Sequence, residues 1–206
     1  MSTPSALLIA DLAGVAVFAA SGASAAIVKR LDLFGVIFVG FVAALGGGIV
    51  RDVVIGAVPP LAFADWRYAI TAAVASGATF WLHPQFSRLR WTVLLLDAAG
   101  LALITVTGTL KALNAGLPPV GACLAGMITG IGGGVGRDLL LGEIPVVLRR
   151  EIYAVASLAG AVLVAVLVRF GIHDGLALVA PAVLIFGIRI IALLRSWSAP
   201  VPPEPA

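Results

Sequence analysis

One short pattern occurs twice in this chain and constrains its fold more than any other feature. Residues 46–59 read Gly46-Gly47-Gly48-Ile49-Val50-Arg51-Asp52, then Val53-Val54-Ile55, then Gly56-Ala57-Val58-Pro59. Residues 132–145 read Gly132-Gly133-Gly134-Val135-Gly136-Arg137-Asp138, then Leu139-Leu140-Leu141, then Gly142-Glu143-Ile144-Pro145. Each copy is a glycine triplet, an Arg-Asp pair, an apolar triplet and Gly-x-x-Pro. Both lie inside strongly apolar sequence. A helix-weakening triplet and an ion pair, placed twice in such surroundings, must be explained by any account of the fold.

The surroundings decide the solvent. Of 206 residues, 61% are hydrophobic and 11% charged, where a soluble domain carries about 25% charged residues. Mean hydropathy is +1.14. Water cannot solvate such a surface, so the chain reads as an all-α integral membrane protein. The net charge of +3 then records a bias toward basic cytoplasmic loops. No basic run with interleaved aromatics points to nucleic acid as a partner. The lone Cys123 excludes a disulfide framework or a cysteine metal cluster within one chain. The N-terminal stretch lacks a basic leader and is interrupted by Asp11, and it continues apolar to Lys29-Arg30. It reads as a first transmembrane helix, not a cleaved segment. There is no Walker loop, no Gly-x-Ser-x-Gly, no His-Glu-x-x-His and no nucleotide fingerprint. No enzyme, no cofactor and no metal set is expected, and His83 and His173 stand alone at span ends.

Seven spans fit, near 6–28, 34–57, 68–83, 91–113, 118–142, 152–170 and 175–196, against the roughly 20 residues a helix needs to cross hydrocarbon. Trp66, Trp81, Trp91 and Trp197 fall at span ends, where amphipathic rings prefer headgroup level. Lys29, Arg30, Arg88, Arg90, Arg149, Arg150 and Arg195 lie on one side and Arg67, Lys111 and Arg169 on the other. That bias places the N-terminus outside and the C-terminus in the cytoplasm. One transmembrane domain, 1–199, accounts for the chain, followed by a Pro-rich disordered tail, 200–206.

A shift of 86 residues, without a gap, aligns 11–59 with 97–145. It pairs Asp11 with Asp97, Gly14 with Gly100, Gly22 with Gly108, Gly40 with Gly126, and every element of the doubled pattern. Repeat one runs from about 6 to 86 and repeat two from about 91 to 172. Three spans per repeat is an odd number, so the second copy is inserted upside down, an inverted 3+3 repeat. The seventh helix, about 175–196, has no counterpart.

Three consecutive glycines cost roughly 1 kcal/mol each relative to alanine in a helix. Helices 2 and 5 are therefore expected to break at Gly46, Gly47, Gly48 and at Gly132, Gly133, Gly134, with the breaks facing a cavity. The alternative is close packing, since Gly126, Gly130 and Gly134 form a small-residue ridge. Gly56 and Gly142 read as C-cap glycines, with Pro59 and Pro145 preventing continuation. Depth arithmetic groups Asp11, Arg51 and Asp52 near one surface, and Asp97, Arg137 and Asp138 near the other. Buried ionisable groups in membranes mark functional paths by default; the competing reading is that each Arg clamps helix ends. Ser21 and Thr107 are matched hydroxyls that could coordinate a partly dehydrated cation. Lys111, Arg189 and Arg195 are expected to snorkel, Tyr68 and Tyr153 to belong to belts or packing, and Pro181 to kink the seventh helix.

At these residues the chain resembles a prokaryotic member of the trimeric intracellular cation channel (TRIC) family, whose bacterial group is also described as glycine transporters. The resemblance runs from Asp11 to the seventh helix and rests on both Gly-Gly-Gly…Arg-Asp copies with the extra helix. It implies homotrimers in the prokaryotic inner membrane, with a pore in each subunit lined partly by kinked helices 2 and 5. It implies passive, K+-favouring flux of monovalent cations (K+ or Na+), with Arg51, Asp52, Arg137 and Asp138 as charged pore or gate elements. The Lys-Glu-Val signature tied to pore and lipid binding in the animal members is absent here, so their phosphoinositide regulation is not carried over to this chain, while bound membrane lipid remains an expected partner. A carrier of a small solute such as glycine, working by alternating access, is the alternative that inverted repeats also permit.

Overall fold

The computed structural model describes residues 4–82, 89–149, 152–172 and 175–195. His83, Arg88, Arg150, His173, Trp197 and the 200–206 tail lie outside them, as do the side chains of Arg90 and Arg149. The described residues form helices α1 (Pro4–Val28), α2 (Leu33–Val54), α3 (Leu61–Ala64), α4 (Trp66–Leu82), α5 (Leu89–Asn114), α6 (Pro119–Leu140), α7 (Val146–Arg149), α8 (Ile152–Arg169) and α9 (Gly175–Leu194). The protein is an all-helical membrane protein. Six helices (α1, α2, α5, α6, α8 and α9) are long and apolar enough to cross a bilayer. The expected third span corresponds to α4, whose 17 residues fall at the short end of what spanning takes.

The expected breaks at the glycine triplets are not there. Helix α2 runs unbroken through Gly46, Gly47 and Gly48, and α6 runs unbroken through Gly132, Gly133 and Gly134. The physical reason is packing. A Cβ on Gly47 would overlap the Thr129 carbonyl oxygen, and one on Gly133 would overlap that of Ala43. The two helices cross in backbone contact at the central glycine of each triplet, where no side chain fits. The loss of helix propensity is offset by this close approach, as in other small-residue helix contacts. The ridge has the same purpose, with Gly126 and Gly130 seated against Thr109 and Thr105 of α5.

These contacts come in matched pairs. Gly47 meets Thr129 and Gly133 meets Ala43; Gly14 meets Ile104 and Gly100 meets Phe18; Gly22 meets Ala43 and Gly108 meets Thr129. In each pair, both partners shift by the same 86 residues. In the first two pairs, moving up one helix means moving down the other. Helix α2 therefore runs antiparallel to α6, and α1 antiparallel to α5.

Both Arg-Asp helices end alike. Past α2, Gly56 adopts φ +73°, Ala57 N donates to Asp52 O at 2.8 Å, and Gly56 N donates to Val53 O at 3.1 Å. Past α6, Gly142 adopts φ +68°, Glu143 N donates to Asp138 O at 2.8 Å, and Gly142 N donates to Leu139 O at 3.1 Å. This is the double-bonded glycine cap expected of Gly56 and Gly142, closing carbonyls that the helix end leaves open. Helix α9 continues through Pro181.

Candidate functional site

The six sequence-selected charges are all buried and form two clusters. Because α2 and α6 are antiparallel, Arg51 and Arg137 lie on opposite sides of the crossing. Twelve residues of helix separate their levels, about 18 Å at 1.5 Å per residue.

The second cluster is the tighter one. Arg137 donates from Nη1 to Asp97 Oδ1 at 2.8 Å and from Nε to Asp138 Oδ1 at 2.8 Å. The same Nη1 donates to Ser21 Oγ at 2.9 Å. Asp138 Oδ2 accepts the backbone N–H of Val146 at 2.9 Å, which ties the end of α6 to the start of α7. These charges open onto a vestibule of about 470 Å³, lined also by Ala25, Lys29 and Glu143. Lys29 and Glu143 form an exposed ion pair that joins the α1–α2 and α6–α7 connections.

The first cluster is built from the matching residues but wired differently. Arg51 Nε donates to Asp52 Oδ1 at 2.9 Å, and Lys111 Nζ donates to the same oxygen at 2.7 Å. Asp52 Oδ2 accepts from Leu61 N at 2.8 Å, tying α2 to α3. Asp11 accepts two hydroxyl hydrogen bonds, from Tyr68 at 2.7 Å and from Thr107 at 2.7 Å. Of the two acids grouped with Arg51 by depth, Asp52 is the one it bonds. Asp11, Arg51, Asp52 and Tyr68 line a cavity of about 20 Å³ together with Thr129, room for about one water.

This geometry accommodates both the clamp reading and the path reading. Each Asp of the Arg-Asp pair caps a following short helix, and each cluster also faces a cavity. Ser21 and Thr107 bond crosswise: the hydroxyl of repeat one joins cluster two, and that of repeat two joins cluster one. Their hydroxyls are committed to protein partners in this structure.

Four site residues escape the sequence reading. Tyr68 holds Asp11 directly. Tyr153, 85 residues further on, flanks Gly134 beside Asp97. Lys111 is ion-paired instead of reaching for the membrane surface. Arg189, expected to snorkel, is fully buried, with its guanidinium 4.6 Å above the Tyr153 ring. The 86-residue shift puts Ala25 opposite Lys111, so cluster two lacks that lysine. Arg189, from the unduplicated α9, brings a positive charge onto the Tyr153 ring beside that cluster. Each cluster thus gathers two carboxylates and two cations, and a neutral set is far cheaper to bury than a net charge. The 85-residue spacing of the tyrosines, one short of the repeat period, was the signal that could have found them. Among the described residues, no group of three or more His, Cys, Asp or Glu is placed to hold a metal ion.

Comparison with known proteins agrees with this architecture. A family model described as "Glycine transporter" matches twice, over residues 8–84 and 94–169. The chain is 36% identical to the TRIC trimeric intracellular cation channel orthologue of Rhodobacter sphaeroides, whose crystal structure it matches with a TM-score of 0.89 over 93% of this chain and 99% of that one. It is 45% identical to a UPF0126 membrane protein of Deinococcus radiodurans, over 73% of this chain and 71% of the relative. It is 44% identical to a UPF0126 inner membrane protein of Escherichia coli, over 74% of each. The fold, the doubled match and these identities together show that the chain belongs to the prokaryotic TRIC family, the bacterial group described as glycine transporters.

Proposed function

We propose that the protein is a channel for monovalent cations, favouring K+, with a conduction path inside each subunit of a homotrimer. The observation that carries this reading is the pair of buried, self-neutralised charge clusters, each facing a cavity from opposite sides of the α2–α6 crossing. Carboxylates at both ends are oxygen ligands of the kind that select cations. The two repeats are related by a pseudo-two-fold axis in the membrane plane, as the antiparallel pairs α1–α5 and α2–α6 support. Seven helices then cross the membrane, α4 included, with the N-terminus outside and the C-terminus in the cytoplasm. The E. coli relative supports the inner membrane as its location. Backbone contact at Gly47 and Gly133 closes the path at mid-membrane, so this conformation is non-conducting and opening requires α2 and α6 to part. The likeness to the R. sphaeroides channel supports cation flux and trimerisation, not enzyme activity.

A second reading has its own observation. The vestibule presents Asp97, Asp138, Arg137 and Lys29 together, and mixed charges of this kind complement a zwitterion such as glycine. Proteoliposomes distinguish the two. Wild-type protein is expected to pass K+ down its gradient without a counter-substrate, and excess glycine is expected to leave that flux unchanged. Asp97→Asn leaves Arg137 bonded to Asp138 and is expected to fold. It should change K+ flux by roughly tenfold, the effect of ~1.4 kcal/mol on a barrier. Saturable glycine uptake with no K+ flux would instead assign the vestibule to a carrier.

A further inference from the structure

We infer that the groove between α6 and α8 is a binding site for an anionic membrane lipid, its acyl chain along the groove and its phosphate on Arg169. The groove encloses about 540 Å³ and is lined by Val120, Leu124, Leu158, Val162 and Val166, with Arg169 the single charged residue in its wall. Its α8 side extends from Leu158 to Phe170, about 18 Å of helix at 1.5 Å per residue. One leaflet of hydrocarbon is about half of a 30 Å core, so the groove fits one acyl chain from its headgroup end to the bilayer midplane. Arg169 is the last residue of α8, at the level where a lipid phosphate sits. A guanidinium there offers a planar fork of donors that matches phosphate oxygens, and the negative end of the helix dipole holds the cation in place.

The charges on the described residues favour a lipid over a second copy of this chain as the occupant. Among the described residues, Lys29, Arg51, Arg67, Lys111 and Arg137 are each paired with a carboxylate, and Arg169 is paired with none. The described carboxylates are in turn all engaged. Asp11, Asp52, Asp97 and Asp138 are buried in the two clusters, Asp65 is held by Arg67 and Glu143 by Lys29, and Asp32 caps α2 through Gly35 N. A neighbouring subunit seated on this groove would bring no described acid to meet Arg169. An anionic headgroup brings one with every molecule.

Native mass spectrometry of the full chain, extracted from vesicles of equal parts phosphatidylglycerol and phosphatidylcholine, tests this directly. Wild-type protein is expected to retain phosphatidylglycerol over phosphatidylcholine by roughly tenfold: both bring a phosphate, but the choline ammonium offsets that charge and repels Arg169, while the glycerol headgroup stays anionic. Arg169→Gln should keep bound lipid but erase the preference, and Val162→Trp, at an exposed position in the groove, should lose both lipids. Two results would overturn the assignment: an unchanged preference in Arg169→Gln, or undiminished lipid in Val162→Trp. A Val162→Trp protein that keeps its lipid but drops in oligomeric mass would assign the groove to a contact between subunits. Because the readout is retained lipid, it stands or falls independently of what the protein transports.

Discussion

Glycine at position 47 and glycine at position 46 are adjacent in sequence and opposite in consequence. A methyl group at Gly46 would find its nearest neighbour 3.9 Å away, and one at Gly48 would find Arg51 at 3.7 Å. A methyl group at Gly47 has no space at all. Gly47→Ala and Gly133→Ala should therefore each destabilise the protein by about 1–3 kcal/mol, the usual cost of overpacking. Gly46→Ala and Gly48→Ala should be neutral or slightly stabilising, because alanine favours helix. Thermal melting in detergent reads the difference. Equal sensitivity across the triplet would mean that the glycines serve flexibility and not the crossing. The sequence showed that these glycines matter, but could not show which one touches another helix. Close approach depends on the angle at which helices meet, and only residue periodicity is written in the chain. The same limit hid Arg189. A lone arginine near a span end looks the same whether it reaches out to water or inward to Tyr153, and it is the ring 4.6 Å away that settles the matter.

At the scale of elements, the helix ends were the most legible part. Gly56 and Gly142 were identifiable as caps because left-handed backbone after a helix is a local property, and the residue that adopts it at little cost is glycine. Nothing lies within 4 Å of where a Cβ would stand at either position, so sterics with neighbours play no part. Gly56→Ala and Gly142→Ala should each cost about 1–2 kcal/mol from the left-handed conformation alone. Denaturant or thermal titration should give nearly equal values for the two, as expected of matched elements; a large inequality would mean that one end is held by something other than its cap. The 86-residue shift relates contacts such as Gly14–Ile104 and Gly100–Phe18, but which helices meet was not written in it. The uninterrupted course of α2 and α6 was not legible either, because propensity counts three glycines as a penalty while tertiary contact turns them into an interface. Helix α9 has no repeat partner, so no comparison within the chain could assign its purpose. Its contribution of Arg189 to the second cluster emerges only from the packed structure.

For the whole molecule, the central point is balance. Two carboxylates and two cations are gathered at each of two levels, on either side of a crossing without side chains. The composition announced a membrane protein, and the doubled motif announced two charged levels. Which charges pair at each level was not legible, because Lys111 and Arg189 reach the clusters from positions that the repeat does not relate. On the channel reading proposed above, such a pathway is neutral at rest and would carry cations once α2 and α6 separate and expose carboxylate oxygens along the gap. The most direct test is recording of purified wild-type protein in a planar bilayer under a KCl gradient. Stepwise unitary currents that reverse near the potassium equilibrium potential are the result this account requires. A silent bilayer, from protein that nonetheless exchanges labelled glycine in vesicles, would contradict it.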